Sequence, residues 1–175
     1  MIDFTFTEEQ DLFQKVTREF AETMIAPQVP IMEETGRDWE PAIEALGKAE
    51  MMAITIPEEY GGLGLGYVVR LIALEEIARI SVATAMMMQV GGLGIDPIIK
   101  FGSEEQKKKY LPGLATGERF ATVAVTEATG GSDPKGCRTT YRKVNGAYII
   151  NGRKCFITNS HIADVQVVLA MDEEN

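Results

Sequence analysis

The hydrophobic pattern of this chain changes period once, near residue 120, and that change restricts it to a fold with a helical part followed by a β part. Before the change the spacing is helical. Thr7-Glu8-Glu9-Gln10 is a capping box, and Leu12, Phe13, Val16, Phe20 and Met24 follow on one stripe until Pro27, which predicts a first helix ending there. Asp38 to Met51, with Pro41 near a helix start and Ile43 and Leu46 on one face, predicts a second. Val68, Leu71, Ile72, Glu75, Ile77 and Ala78 predict another after Gly66, and Ser81 to Val90 continues with permissive helix formers. Ser103-Glu104-Glu105-Gln106 is a second capping box, with Lys107, Lys108 and Lys109 further along in the order the helix dipole favours.

After Phe120 the residues read as strands. Ala121 to Thr126 is followed by a glycine-rich turn, and two Asn-Gly pairs, Asn145-Gly146 and Asn151-Gly152, carry the strongest short hairpin signal. They divide Arg138 to Val144, Ala147 to Ile150 and Lys154 to Thr158 into an antiparallel meander, with Val165 to Ala170 as a further strand. The fold class expected is α+β: a helical domain over residues 1–120 and, over 121–175, the start of an antiparallel β domain whose sheet is left open.

Composition excludes several classes of function. Seventeen basic against 26 acidic residues give a net charge of -9, which repels nucleic-acid backbones. The uncharged stretch Ile80 to Gly94 is too short for a membrane span. The acidic N-terminus with Glu8, Glu9 and Asp11 lacks the pattern of an export or import signal, and Cys137 and Cys155 lack disulfide-scaffold or zinc spacing. Both cysteines are expected as free thiols in a reducing cytoplasm. His161 is the only histidine, so a multi-histidine metal cluster is impossible and no metal site is expected.

Neither Gly61-Gly62-Leu63-Gly64-Leu65-Gly66 nor Gly91-Gly92-Leu93-Gly94 has the spacing and strand-to-helix context of a dinucleotide loop, and the first reads as a turn between helices. The stretch Val123 to Asp133 is more informative, because a strand runs straight into Gly130-Gly131-Ser132. Such a bend exposes backbone N–H groups able to hold an anion, although a plain glycine-rich turn has the same composition.

Four ordered blocks resemble the flavin-dependent acyl-CoA dehydrogenases: Pro57-Glu58-Glu59-Tyr60-Gly61-Gly62; Phe101 to Lys107 with Tyr110-Leu111-Pro112; T-E-x-x-x-G-S-D at Thr126 to Asp133; and N-G-x-K-x-F-I-T-N at Asn151 to Asn159. The resemblance implies a helical N-terminal domain, a β-barrel middle domain within which residue 175 falls, and a C-terminal helical bundle, absent from this chain, that carries the catalytic glutamate. It implies FAD as cofactor, with Val123, Val125, Thr126, Gly131 and Ser132 in contact with it and Ser132 shared with the CoA moiety. Phe156, Ile157 and Thr158 correspond to the family's aromatic-I-T, the ring packing on the flavin and the hydroxyl reaching its N5 region. Val123, Ala128-Thr129 and Phe156 depart from the aromatic, Pro-Gly and Trp seen in many members. Met86-Met87-Met88 falls on the helices that line the acyl pocket, which assigns Met87 and Met88 to substrate binding, although three adjacent methionines point in different directions and at least one belongs to the core.

The reaction implied is α,β-desaturation of an acyl-CoA thioester in fatty acid β-oxidation or a related pathway. An electron-transfer flavoprotein is the implied acceptor, and a homo-oligomer, dimer or tetramer, the implied assembly of the complete protein. No residue is assigned as the base; Glu127 belongs to the flavin loop. The chain alone is expected to bind FAD weakly and not to be reduced by substrate. Two alternatives are a non-catalytic flavin- or acyl-CoA-binding module and a protein-interaction module.

Overall fold

The computed structural model describes residues 5–37 and 39–174, so Asp38, the expected start of the second helix, lies outside the described residues. Helix α1 (Glu8–Phe20) starts at the first capping box: the Thr7 hydroxyl accepts from the Gln10 N–H at 3.2 Å, and the Gln10 side chain accepts from the Thr7 N–H at 3.0 Å. Pro27 does not end the helical path. A π turn at Ala21–Ile25 and a 3-10 turn at Ala26–Gln28 carry it into α2 (Val29–Thr35). A proline lacks the N–H for the i−4 bond and its ring crowds that carbonyl, and the wider turn just before it accommodates both.

The expected apolar stripe of α1 is also divided. Leu12, Val16 and Met24 are exposed, whereas Thr17, Ala21 and Ile25 are buried, with Phe13 and Phe20 packed at the margin. The buried set keeps the i, i+4, i+8 spacing, so the helical path buries this stripe and leaves a second apolar face outward. Helix α3 (Glu40–Lys48) contributes Ile43 and Leu46 to the core. Helix α4 (Gly66–Ala78) packs on α1, where buried Glu76 receives both Arg18 at 2.8 Å and Arg79 at 3.0 Å. Gly61 to Leu65 is the expected turn, held by backbone bonds from Leu63 to Ala53, Gly64 to Ile56 and Leu65 to Ile54.

Helix α5 (Val82–Phe101) runs through Gly91-Gly92-Leu93-Gly94 and is longer than the sequence pattern suggests. Its glycines are places of close approach. A Cβ at Gly94 would stand 2.7 Å from the Thr122 backbone nitrogen, and at Gly92 it would occupy the space of the Arg70 guanidinium. Helix packing here therefore compensates the entropic cost of glycine in a helix. Among the described residues α5 is the one helix long and apolar enough to cross a membrane, but half of the relevant stretch is buried inside the fold. Helix α6 (Glu104–Ala115) starts at the second capping box.

Strand β1 (Ala121–Ala124) lies against α5 and pairs in parallel with β4 (Val165–Val168), Ala121 opposite Val165. The second sheet has the order β3 (Ala147–Asn151), β2 (Thr140–Val144), β5 (Met171–Asp172). The Asn145-Gly146 hairpin forms as expected, with φ of +51° and +82° at the two turn residues. The rest of the meander does not. Asn151 is the last residue of β3, Lys154 to Thr158 is a loop, and β5 joins β2 in parallel. Among the described strands only β2 and β3 are antiparallel, and the sheet is not closed. An Asn-Gly pair specifies a hairpin only when the following residues find a partner edge, and here the Lys154 segment is bonded to the end of β1 instead.

Candidate functional site

The two motif blocks after residue 120 meet at the C-terminal end of β1. The Cys155 N–H donates to the Thr126 carbonyl at 3.0 Å, Lys154 Nζ to the Val125 carbonyl at 3.0 Å, and the Thr122 hydroxyl to the Thr158 carbonyl at 2.7 Å. These bonds bring Val123, Val125 and Thr126 alongside Phe156, Ile157 and Thr158. Gly131 belongs to the same group, because a Cβ there would stand 2.9 Å from the Thr126 hydroxyl oxygen. The chain reverses between them in a tight turn in which Glu127 and Gly130 exchange backbone hydrogen bonds of 2.9 and 3.0 Å. Ser132 lies beyond it, exposed.

Glu127 is the centre of this arrangement. Its buried carboxylate accepts from the Thr139 hydroxyl at 2.6 Å, from the N–H groups of Thr139 and Arg138 at 2.8 Å each, and from Lys154 Nζ at 2.9 Å. The Thr139 hydroxyl, then Lys154 and the two N–H groups, hold its pKa well below the usual carboxylate range. Burial works against the Lys154 ammonium, but its bonds to Glu127 and Cys137 outweigh this and its pKa is raised. A carboxylate so fully engaged is a structural anion.

Phe156 is 91% exposed at φ +56°, an aromatic ring held out from the loop in a left-handed backbone conformation. It borders a cavity of about 400 Å³ that also includes Ala124, Lys154, Ile157, Ser160 and Val168. Thr158 is exposed, and its hydroxyl has no hydrogen-bond partner among the described residues. The loop is anchored at its far end by buried Asn159, φ +65°, whose amide donates to the Met87 carbonyl on α5 at 2.8 Å.

The methionines separate. Met88 is 2% exposed and belongs to the core, Met86 faces outward, and Met87 borders a cavity of about 560 Å³ with Val29, Met32, Trp39, Ile80 and Val82. Trp39 stacks edge-on with His161 at 4.8 Å. No cluster of His, Cys, Asp or Glu able to hold a metal occurs among the described residues.

Sequence reasoning missed Lys154 and Asn159 as organisers of the site. A single lysine in a strand-like segment reads as a solvated side chain, and the signal that it is not solvated is a complementary carboxylate, Glu127, distant in sequence.

With this geometry in view, residues 7–118 match the acyl-CoA dehydrogenase N-terminal domain and residues 122–175 the acyl-CoA dehydrogenase middle domain, and the chain belongs to the acyl-CoA dehydrogenase family. It is similar to an acyl-CoA dehydrogenase of Bacillus subtilis, 43% identical over 166 residues, which cover 94% of this chain and 44% of that protein. Among solved structures it is similar to the FAD-complexed acyl-CoA dehydrogenase of Bacillus anthracis, with a TM-score of 0.88 and 36% identity over 98% of this chain and 30% of that one. A chain from the structural study of the electron transferring flavoprotein of Acidaminococcus fermentans gives a TM-score of 0.91 and 36% identity, covering 99% of this chain and 46% of that one. The chain thus spans less than half the length of these relatives.

Proposed function

We propose that this chain provides the flavin loop and part of the acyl pocket of an FAD-dependent acyl-CoA dehydrogenase, which desaturates the α,β bond of acyl-CoA thioesters in fatty acid β-oxidation or a related acyl-CoA pathway. The observation that carries the reading is the meeting of the two motif blocks at the end of β1, which leaves an exposed aromatic ring and an unengaged hydroxyl on one loop. The residues suit a flavin: Gly131 keeps open a space beside Thr126 that a Cβ would fill, and Phe156 offers a flat apolar face. When bound, FAD supplies a ring nitrogen that takes a hydride from the β-carbon of the substrate.

The side chains of this chain then divide the work. Val123, Val125 and Ile157 give apolar contact to the ring system, and Phe156 packs on it. The Thr158 hydroxyl donates where negative charge accumulates, which lowers the barrier because the donor is already oriented. Thr126, Gly131 and Ser132 hold the polar part of the cofactor, and Ser132 also meets the CoA moiety. Met87 lines the acyl tail, with Met88 supporting it from the core. Glu127 and Lys154 hold the two loops together and exchange no proton with the substrate. An electron-transfer flavoprotein as acceptor, a homo-oligomer as assembly and a cytoplasmic location complete the reading. The two free thiols support the last of these.

The activity is tested with a chimera in which these 175 residues are followed by the remainder of the Bacillus subtilis relative. Purified anaerobically with FAD, it is expected to lose its flavin absorbance on addition of an acyl-CoA. Flavin that binds but is not bleached by any of a short-, medium- and long-chain acyl-CoA would overturn the desaturase reading, and failure to retain FAD would overturn the flavin-loop assignment.

A further inference from the structure

Cys137 is a nucleophilic group of the site to which the proposed function gives no task. Its sulfur lies 3.2 Å from Lys154 Nζ and 3.3 Å from the Glu127 carboxylate, and it also faces the carbonyls of Thr139 at 3.5 Å and Leu169 at 3.4 Å. A thiol has one proton, so it satisfies one of these three acceptors, while a sulfur lone pair remains directed to the amine. Lys154 uses its three protons on the Val125 carbonyl, Glu127 and this sulfur, which holds the nitrogen in place. The lysine side chain is 9% exposed, so its nitrogen is nearly out of contact with water.

We propose that Cys137 and Lys154 are the site of an oxidative covalent cross-link in which one oxygen atom bridges Sγ and Nζ, with dioxygen as the oxidant. The balance is one Lys ammonium, one thiol and one dioxygen giving the S–O–N bridge, one water and one proton. Sulfur and nitrogen each lose two electrons. Dioxygen takes all four, one of its oxygens entering the bridge and the other leaving as water. The S–H bond and two of the three N–H bonds break, two of the three hydrogens leave in the water and the third leaves to solvent as a proton. A bent bridge through one oxygen needs the two atoms closer than the 3.2 Å at which they stand, and the flexible lysine stem is the part that can supply that movement.

The cross-link joins residues 17 apart in sequence and encloses the β2–β3 hairpin. It also replaces a three-proton ammonium by a nitrogen with a single N–H, which can no longer serve both the Val125 carbonyl and Glu127. The oxidation state of Cys137 is thereby coupled to the bond that ties the end of β1 to the Lys154 loop.

The test uses the 175-residue chain, reduced, then divided between air and an anaerobic chamber, and analysed by peptide mass spectrometry. In air, the peptides containing Cys137 and Lys154 are expected as a linked pair, roughly 14 Da heavier than the two free peptides together. The pair should be lost on treatment with a dithiol. It should persist in Cys155→Ser and disappear in Cys137→Ser and in Lys154→Arg. The parent chain alone decides the matter if either variant fails to fold. Cys137 recovered in air only as free thiol, sulfinic or sulfonic acid, or as a disulfide to Cys155, would overturn the proposal. So would a linked pair about 2 Da lighter than the free peptides, the mass of a direct S–N bond. None of these outcomes depends on flavin or acyl-CoA.

Discussion

The Asn159 side-chain amide donates to the Met87 carbonyl at 2.8 Å, joining the end of the Phe156 loop to the N-terminal half of α5 across 72 residues of sequence. Asn159 occupies a left-handed backbone conformation, which asparagine tolerates better than most residues, and it is buried. One residue thus sets both the direction in which the loop leaves Thr158 and its distance from the helix bearing Met87. The two parts of the candidate site are held in one register by it.

Replacing Asn159 by Gly keeps the backbone conformation accessible and removes the amide, whereas Ala removes both. Asn159→Gly is expected to lower unfolding stability by about 1–2 kcal/mol through the lost hydrogen bond, and Asn159→Ala by more. Urea unfolding of the two variants measures the difference. Equal stability of both with the parent would mean that the contact does not anchor the loop.

Gly94 is where α5 meets β1. A methyl group there must displace backbone at Thr122, which cannot rotate away as a side chain would. Gly94→Ala is therefore expected to destabilise the chain by about 1–3 kcal/mol, although alanine is the better helix former. A thermal melt at or above the parent's midpoint would show that the helix and strand separate without cost.

The pair Glu127 and Lys154 makes stability depend on pH at both extremes. Glu127 has a lowered pKa when folded, so its contribution is complete above the unfolded value of about 4.3 and is lost as the pH falls through the folded value. Lys154 has a raised pKa, so its contribution is complete below about 10.4 and is lost as the pH rises through the folded value. Between about pH 5 and 10 this pair adds no slope. Glu127→Gln should lower the melting temperature throughout that range and flatten its fall on the acid side. Melting curves of parent and variant that stay parallel from about pH 3 to 7 would contradict this.

Thr158→Val removes a hydroxyl that engages nothing else among the described residues, so its effect on stability should be small. In the flavin-loaded chimera it should slow reduction by acyl-CoA by about tenfold or more while leaving acyl-CoA affinity nearly unchanged, because the interaction strengthens as charge develops. Stopped-flow absorbance separates the two effects, and unchanged reduction would remove Thr158 from the site.

Local chemistry was enough for part of this protein. Both capping boxes, the Asn145-Gly146 hairpin and the order of helices before strands depend on residues a few positions apart, and each of the four blocks that carry the family resemblance is a short local stretch. Tertiary structure decided the rest, because those outcomes depend on partners distant in sequence. Pro27 is passed because a π turn widens the helix before it. The glycines of α5 remain helical because β1 and Arg70 fill the space they leave. The run from Lys154 to Thr158 has the composition of a strand, yet Glu127, Val125 and Thr126 take its amine and its backbone. A buried ion pair and a shared backbone edge outweigh β propensity there, and neither can be read from either segment alone.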